Sequence, residues 1–218
     1  FYISIHFWII DLTNYRIVVH SHMQIKQTSY CTFKLEFKNG TVVVNPIKKS
    51  DGDITLYSLD KSPYLFYDIE SVLSVRSAGE YESKDIFVTG KKNKAQDSFV
   101  YTVSSEDLTI GIIGFVNEIP FIAEDLFETT DVLLIGAGSG MSLSTKDAAK
   151  MIDTLSPQVA IVFGFKEQCS NKDVANILDP LEELKKEIPA VTLVDKSLKL
   201  DYDFVNGLDN TQIYYFEI

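Results

Sequence analysis

The stretch DVLLIGAGSGMSLSTKDAAKMIDTLSPQVAIVF, residues 131–163 of a 218-residue chain, decides the fold. Asp131–Ile135 and Val159–Phe163 are short continuous apolar runs, which are typical of strands covered on both faces. The residues between them predict a helix over about 145–155, with Ser144 as its N-cap. Its apolar positions recur at helical spacing and are Ala148, Met151, Ile152 and Leu155. Because a strand–helix–strand crossover is normally parallel, the two strands should be parallel neighbours.

The C-terminal part continues this alternation of strands and helices. Asp179-Pro180-Leu181-Glu182 offers an acidic N-cap, proline at N1 and glutamate at N3, which predicts a helix through about Ile188. Apolar runs near 191–194 and 211–217 predict two further strands.

The N-terminal part is rich in β signals instead. Residues 31–37 and 41–45 flank Asn39-Gly40, which predicts a hairpin with a type I′ turn and positive φ at both central residues. Residues 91–97 read as a turn. Further strands are predicted at 54–57, 72–75, 85–89, 98–103 and 108–113. The chain is therefore an α/β (α+β) protein, and residues 23–218 form a single domain.

Composition limits the classes of function. Twenty Lys plus Arg against 31 Asp plus Glu give a net charge of −11, which repels nucleic acid and anionic membranes. Cys31 and Cys169 cannot form a disulfide framework, so we expect a reducing, cytoplasmic compartment. The partner is unknown from sequence, and both a homo-oligomer and a protein partner remain open.

Residues 1–22 do not match the rest of the chain. They contain all three histidines and the single tryptophan, and they precede the first methionine, Met23. We expect a non-native upstream extension, so that the native product begins at Met23. The alternative, an anchor on a membrane surface, lacks a basic amphipathic face.

Single residues and short motifs are weaker evidence for function than the order of the segments is for the fold. The loop Gly136, Gly138, Ser139 and Gly140 follows a buried strand and could bind an anion through its N–H groups, although its spacing is not that of a dinucleotide fingerprint. A tight loop at the active face is the simpler interpretation. Residues 23–218 contain no histidine, which excludes Cys–His and Ser–His nucleophiles built on Cys31, Cys169 or Ser139.

Several segments together resemble a known family. They are VVVNP (42–46) after the first hairpin, AGEYE (78–82), IFVTG (86–90), residues 131–163 and DPLEELKKE (179–187). The combination resembles the metallo-β-lactamase fold superfamily, and within it the small prokaryotic metal-dependent hydrolases similar to ascorbate-6-phosphate lactonase. The resemblance implies an αββα sandwich, with two mixed sheets back to back, helices outside and the site at one edge of the sheets.

The resemblance also implies two metal ions, usually zinc, held by a His-x-His-x-Asp-His run after the strand at 54–57 and by further His and Asp residues. Here the corresponding positions carry other residues. They are Tyr30, Leu59, Lys61, Pro63, Tyr64, Phe115 and Gly164. We therefore expect no metal and no cofactor.

Three functions remain. The first is a metal-free, non-catalytic binding or structural module. The second is a divergent hydrolase with a relocated or absent metal, with Lys61, Glu80 and Tyr81 as candidate acid and base groups. The third is a phosphate or nucleotide binder that uses the loop 136–140.

Overall fold

The computed structural model describes residues 22–59, 66–93, 97–120 and 123–218. The strands are β1 (Met23–Ser29), β2 (Thr32–Glu36), β3 (Thr41–Val44), β4 (Ile54–Leu56), β5 (Leu73–Val75), β6 (Gly79–Ser83), β7 (Ile86–Asn93), β8 (Ser98–Ser105), β9 (Leu108–Ile113), β10 (Val132–Gly136), β11 (Val159–Phe163), β12 (Thr192–Val194), β13 (Leu198–Leu200) and β14 (Gln212–Phe216). The helices are α1 (Ala123–Phe127), α2 (Thr145–Leu155), α3 (Lys172–Ala175), α4 (Leu181–Glu187) and α5 (Tyr202–Asn206), with a 3₁₀ turn at Lys166–Gln168.

The strands form two mixed sheets, as expected. The first has the order β13-β1-β2-β3-β4-β5, and the second has the order β12-β14-β11-β10-β9-β8-β7-β6. The prediction for residues 131–163 is confirmed, because β10 and β11 pair in parallel from Val132↔Val159 to Gly136↔Phe163. Helix α2 joins them, and the Ser144 hydroxyl caps it by accepting from the Asp147 N–H at 3.1 Å.

Alternation along the buried strands divides the core into two layers. Val132 and Leu134 of β10 face the first sheet and join an inner cluster between the sheets. Leu133 and Ile135 point the other way, into an outer cluster with side chains of α2 and α4. The sheets meet at Phe33 and Phe163, whose rings pack edge to face at 4.9 Å. Both faces of β10 and β11 are thus covered, which explains their continuous apolar runs.

The first hairpin is confirmed, but its turn differs from the prediction. β2 and β3 pair from Phe33↔Val44 to Glu36↔Thr41, and the Phe37 N–H donates to the Gly40 carbonyl at 2.9 Å. Lys38 and Asn39 are therefore the central residues, and neither Asn39 nor Gly40 has a positive φ. The type I′ turn predicted at Asn39-Gly40 is wrong.

Left-handed two-residue turns occur at two other hairpins that carry no such signal. Lys84-Asp85 has φ values of 56° and 56°, and Glu106-Asp107 has values of 56° and 63°. The three hairpin tips contact one another, since the Lys38 N–H donates to Glu106 Oε1 at 2.5 Å and Asn39 Nδ2 donates to Asp85 Oδ2 at 3.3 Å. These contacts between distant segments fix the turn positions.

Replacing Asp107 with glycine should stabilise the protein. Asp107 is exposed and has φ 63°, where an L side chain crowds the backbone. The free energy gained by removing this steric strain exceeds the entropy cost of glycine by about 0.5 kcal/mol. The change is measured as a higher urea midpoint. Asp107→Val is the opposing control and should lower the midpoint, because a β-branched residue fits this region poorly; a higher midpoint for both variants would contradict the explanation.

Two further expectations need correction. Residues 91–97 were predicted as a turn, but Lys91–Asn93 continue β7 and pair with β8. Asp179 was predicted as the N-cap of a helix with Pro180 at N1, but α4 begins at Leu181 and Pro180 occupies the N-cap position. The Leu181 N–H instead donates to Glu167 Oε2 at 2.9 Å.

The prediction for residues 1–22 lies outside the described residues, except for His22. Its Nδ1 atom lies 3.0 Å from Asp201 Oδ2, at the start of α5.

Candidate functional site

The candidate site lies at the edge where β4, β9, β10 and β11 end. A β-carbon on Gly114, just after β9, would lie 2.6 Å from Ser58 Oγ. A β-carbon on Gly136 would lie 2.5 Å from the Gly114 carbonyl oxygen. Ser58 and the start of the glycine loop therefore lie on the same edge of the sheets, as expected for loops that follow parallel strands.

A closed polar pair occupies the part of this edge nearest the first sheet. The Ser58 N–H donates to Asn45 Oδ1 at 2.8 Å, and Asn45 Nδ2 donates to Ser58 Oγ at 3.0 Å. The Thr32 hydroxyl donates to the Asn45 carbonyl at 2.7 Å. Asn45 and Ser58 are fully buried, so this network satisfies its own polar groups. Sequence reasoning missed the pair, because nothing in the spacing of residues 45 and 58 marks a contact.

Three positions where the resemblance implies metal ligands lie in or against the inner core. Tyr30 and Phe115 are each 2% exposed members of the inner cluster, and Leu59 packs against it. The Phe115 ring lies 5.7 Å from the ring of Phe66, which in turn lies 5.8 Å from that of Tyr57. Aromatic packing thus fills the space beside Phe115.

Gly164 follows β11, at the position where the resemblance implies a histidine. Its φ is +93°, a backbone conformation that glycine adopts far more readily than other residues. A histidine side chain would be strained here. Lys61, Pro63 and Tyr64 lie outside the described residues.

The described residues do not fit a zinc ion. Zinc needs imidazole, thiolate or carboxylate ligands, and about three from the protein in a catalytic site. No group of three His, Cys, Asp or Glu residues in the described part of the chain is arranged to hold a metal. Burial raises the pKa of the Cys31 thiol to about 12, so this sulfur stays protonated.

The candidate acid and base groups on β6 do not converge. Glu80 and Tyr81 are consecutive strand residues, so their side chains leave opposite faces. Glu80 is exposed, whereas Tyr81 is partly buried and its hydroxyl lies 2.6 Å from Ser77 Oγ. Lys61 lies outside the described residues. A catalytic role for these three residues stays a prediction.

The glycine loop uses several of its own N–H groups. The N–H groups of Ala137, Ser139 and Ser142 donate to the carbonyls of Phe163, Leu143 and Ser139, at 2.9, 3.0 and 2.9 Å. The Ser139 hydroxyl donates to the Asp179 carboxylate, which places a negative charge beside the loop. These contacts favour a tight structural loop, and anion binding by Gly136, Gly138, Ser139 and Gly140 stays a prediction.

No family model and no curated protein matches the chain. Solved structures do. A protein of Thermotoga maritima described as a Zn-dependent hydrolase of the metallo-β-lactamase superfamily superposes with a TM-score of 0.73 at 20% identity, over 90% of this chain and 100% of that one. The chain has the metallo-β-lactamase fold.

Two other proteins share this fold at lower similarity. Igni18, a metallo hydrolase of Ignicoccus hospitalis, has a TM-score of 0.58 at 11% identity and covers 83% of this chain and 99% of its own. YhfI of Bacillus subtilis, a metallo-β-lactamase fold protein, has a TM-score of 0.56 at 8% identity, with coverage of 83% and 99%. Among the described residues, no helix combines the length and apolar character needed to span a membrane.

Proposed function

We propose that this chain is a metal-free protein of the metallo-β-lactamase fold that acts as a non-catalytic binding or structural module. The burial of Phe115 carries the proposal. Phe115 follows the strand that leads to the site and is 2% exposed against Phe66. The resemblance implies a metal-binding aspartate at this position, whereas a phenyl ring has no lone pair to donate.

The neighbouring positions support the same conclusion. A zinc hydrolase needs a metal-bound hydroxide with room for substrate beside it. Here Tyr30 and Leu59 belong to apolar packing, and the Asn45–Ser58 pair satisfies its own hydrogen bonds. These residues build a packed edge that supplies neither a Lewis acid nor a nucleophile. A fold does not confer an activity when the residues of its site are missing.

The alternative is a divergent hydrolase with a relocated or absent metal. Its support is the fold itself, since the protein of Thermotoga maritima and Igni18 are both described as hydrolases. The candidate acid and base groups for such an activity are Lys61, Glu80 and Tyr81.

Metal analysis of the untagged chain separates the two functions. After expression in zinc-supplemented medium, we expect far less than one zinc ion per chain and no hydrolysis of lactone or β-lactam substrates above the uncatalysed rate. A matched Cys31→Ser, Cys169→Ser variant should retain the same residual metal, which excludes adventitious binding by thiols. One tightly held transition-metal ion per chain, together with hydrolysis that a chelator abolishes, would establish the alternative.

A further inference from the structure

The chain contains two Asn-Gly pairs, and they lie in different local structures. Asn39-Gly40 belongs to the tip of the first hairpin, whereas Asn206-Gly207 ends α5. Both asparagines are exposed. Because β3 begins at Thr41 and runs parallel to β4, the hairpin tip lies at the opposite end of the first sheet from the candidate site. The function proposed above involves neither pair.

An Asn-Gly pair can modify itself by a reaction between its side chain and its main chain. The glycine nitrogen attacks Cγ of the asparagine, so that a new C–N bond forms and the bond from Cγ to Nδ2 breaks. Nδ2 leaves as ammonia and carries away the proton of the glycine N–H. Water then adds to either carbonyl carbon of the cyclic imide and opens it to aspartate or isoaspartate. Glycine favours the attack, because it has no β-carbon in the way.

The hairpin tip leaves both reacting groups accessible. Within the described residues, no hydrogen bond from the Gly40 N–H is found, and the tip is closed instead by the Phe37 N–H, which donates to the Gly40 carbonyl at 2.9 Å. The side chain of Asn39 makes a long, exposed contact, from Nδ2 to Asp85 Oδ2 at 3.3 Å. Such a contact is weak, so the carboxamide can turn towards the Gly40 nitrogen.

The second pair has the same two residues but an engaged nitrogen. The Gly207 N–H donates to the Asp203 carbonyl at 3.0 Å and also to the Val205 carbonyl, as part of the last turn of α5. Its nitrogen can attack only after the end of the helix opens locally, which costs free energy. The folded structure therefore separates two pairs that the sequence alone makes equivalent.

We propose that Asn39 is a self-modification site, at which the folded protein converts this asparagine into aspartate or isoaspartate. The product alters the contact between the hairpin tips. An ionised carboxylate at position 39 cannot donate to Asp85 and places a like charge beside it. Isoaspartate also inserts a methylene into the main chain, which disturbs the bond from Phe37 to Gly40. The inference goes beyond the proposed function and does not depend on it.

Ageing of the full chain in a mildly alkaline, non-denaturing buffer tests the site. Peptide mass spectrometry then measures, at each asparagine, the mass gain that accompanies replacement of NH by O. We expect Asn39 to react at least about fivefold faster than Asn206, the factor that corresponds to one hydrogen bond of about 1 kcal/mol. In urea that unfolds the chain, the two rates should converge, because the hydrogen bonds of the fold are lost.

Matched glutamine variants identify the source of the mass gain. Glutamine reacts slowly by this route, because its longer side chain must form a larger ring. Asn39→Gln should remove most of the mass gain of the folded chain, and Asn206→Gln should leave it almost unchanged.

Asn39→Asp reproduces the charge of the product. It should lower the urea midpoint, and the loss should shrink in high salt and in the Asp85→Asn background, where the like charge is absent. Asparagine tolerates the positive φ of position 85, so this background keeps its turn.

Equal rates at Asn39 and Asn206 in the folded chain, or a faster reaction at Asn206, would overturn the modification site. An unchanged midpoint in Asn39→Asp, or a loss of the same size in the Asp85→Asn background, would refute its effect on the hairpin contact.

Discussion

Gly138→Ala should lower the free energy of unfolding by about 3 kcal/mol or more, since the packed backbone has little room to adjust. A β-carbon on Gly138 would lie 1.8 Å from the carbonyl oxygen of Gly164 and 2.5 Å from its carbonyl carbon. Both atoms belong to the main chain and cannot rotate away as a side chain does. The loops after β10 and β11 must therefore separate to admit one methyl group.

Separation would also break contacts that hold the glycine loop. The Ala137 N–H donates to the Phe163 carbonyl at 2.9 Å, and the Asp179 N–H donates to the Gly138 carbonyl at 2.8 Å. Urea unfolding followed by circular dichroism measures the loss. Gly207→Ala is the matched control, because the nearest atom to its β-carbon would lie 3.1 Å away; it should cost less than about 1 kcal/mol. A Gly138→Ala midpoint equal to that of Gly207→Ala would show that the loops adapt.

Gln168→Leu should cost about 3–5 kcal/mol, because it removes a buried amide that joins both sheets while keeping its approximate size. Gln168 is 5% exposed. Leucine would leave the Gly164 N–H and the Phe216 carbonyl without their partner, and Gln27 of the first sheet would lose its bond across the interface. Each unsatisfied buried group costs about 1–3 kcal/mol.

Gln168→Glu tests the hydrogen bonds of the same amide, because it replaces the amide with a group that ionises. A glutamate can accept from the Gly164 N–H, but its ionised form cannot donate to the Phe216 carbonyl. Burial would raise its pKa in the folded state above the unfolded value, so the variant should lose less stability, relative to the native chain at the same pH, at low pH than at high pH. Gln212→Leu, at an exposed position, is the control and should change stability by less than about 0.5 kcal/mol. A pH-independent loss in Gln168→Glu would contradict the assigned hydrogen bonds.

The sequence pattern predicted three elements well. β10 and β11 are buried at every position and read as continuous apolar runs, whereas the helical spacing of α2 marks its one buried face, and all three elements were placed within about a residue. Contacts between distant segments determine the features that the pattern did not predict. Asp179 contacts Ser139 instead of capping α4, and the short strand β6 carries mostly exposed residues, which give no clear alternation.

From the sequence, the candidate site could be predicted only as a set of positions where other residues stand in place of the metal ligands that the resemblance implies. The resemblance implies a ligand position at Phe115 because this residue follows Gly114, and the structure adds its packing against Phe66. The Asn45–Ser58 pair and the role of Gln168 could not be predicted, since hydrogen bonds between residues 13 and 141 positions apart have no local sequence pattern.

The pairing of β1 with β13 has a consequence for how the chain folds during synthesis. β1 is made first, yet its outer neighbour in the sheet is β13, with Met23 opposite Leu200, and the bond from Gln24 to Ser197 spans 173 positions. At ordinary translation rates of about 5–20 residues per second, the ribosome needs roughly 10–35 s to deliver that partner. Throughout that interval the free edge of β1 can pair with another nascent chain. Completion of the N-terminal sheet therefore awaits release of the C-terminal strand, and the yield of folded protein depends on protecting this edge until then.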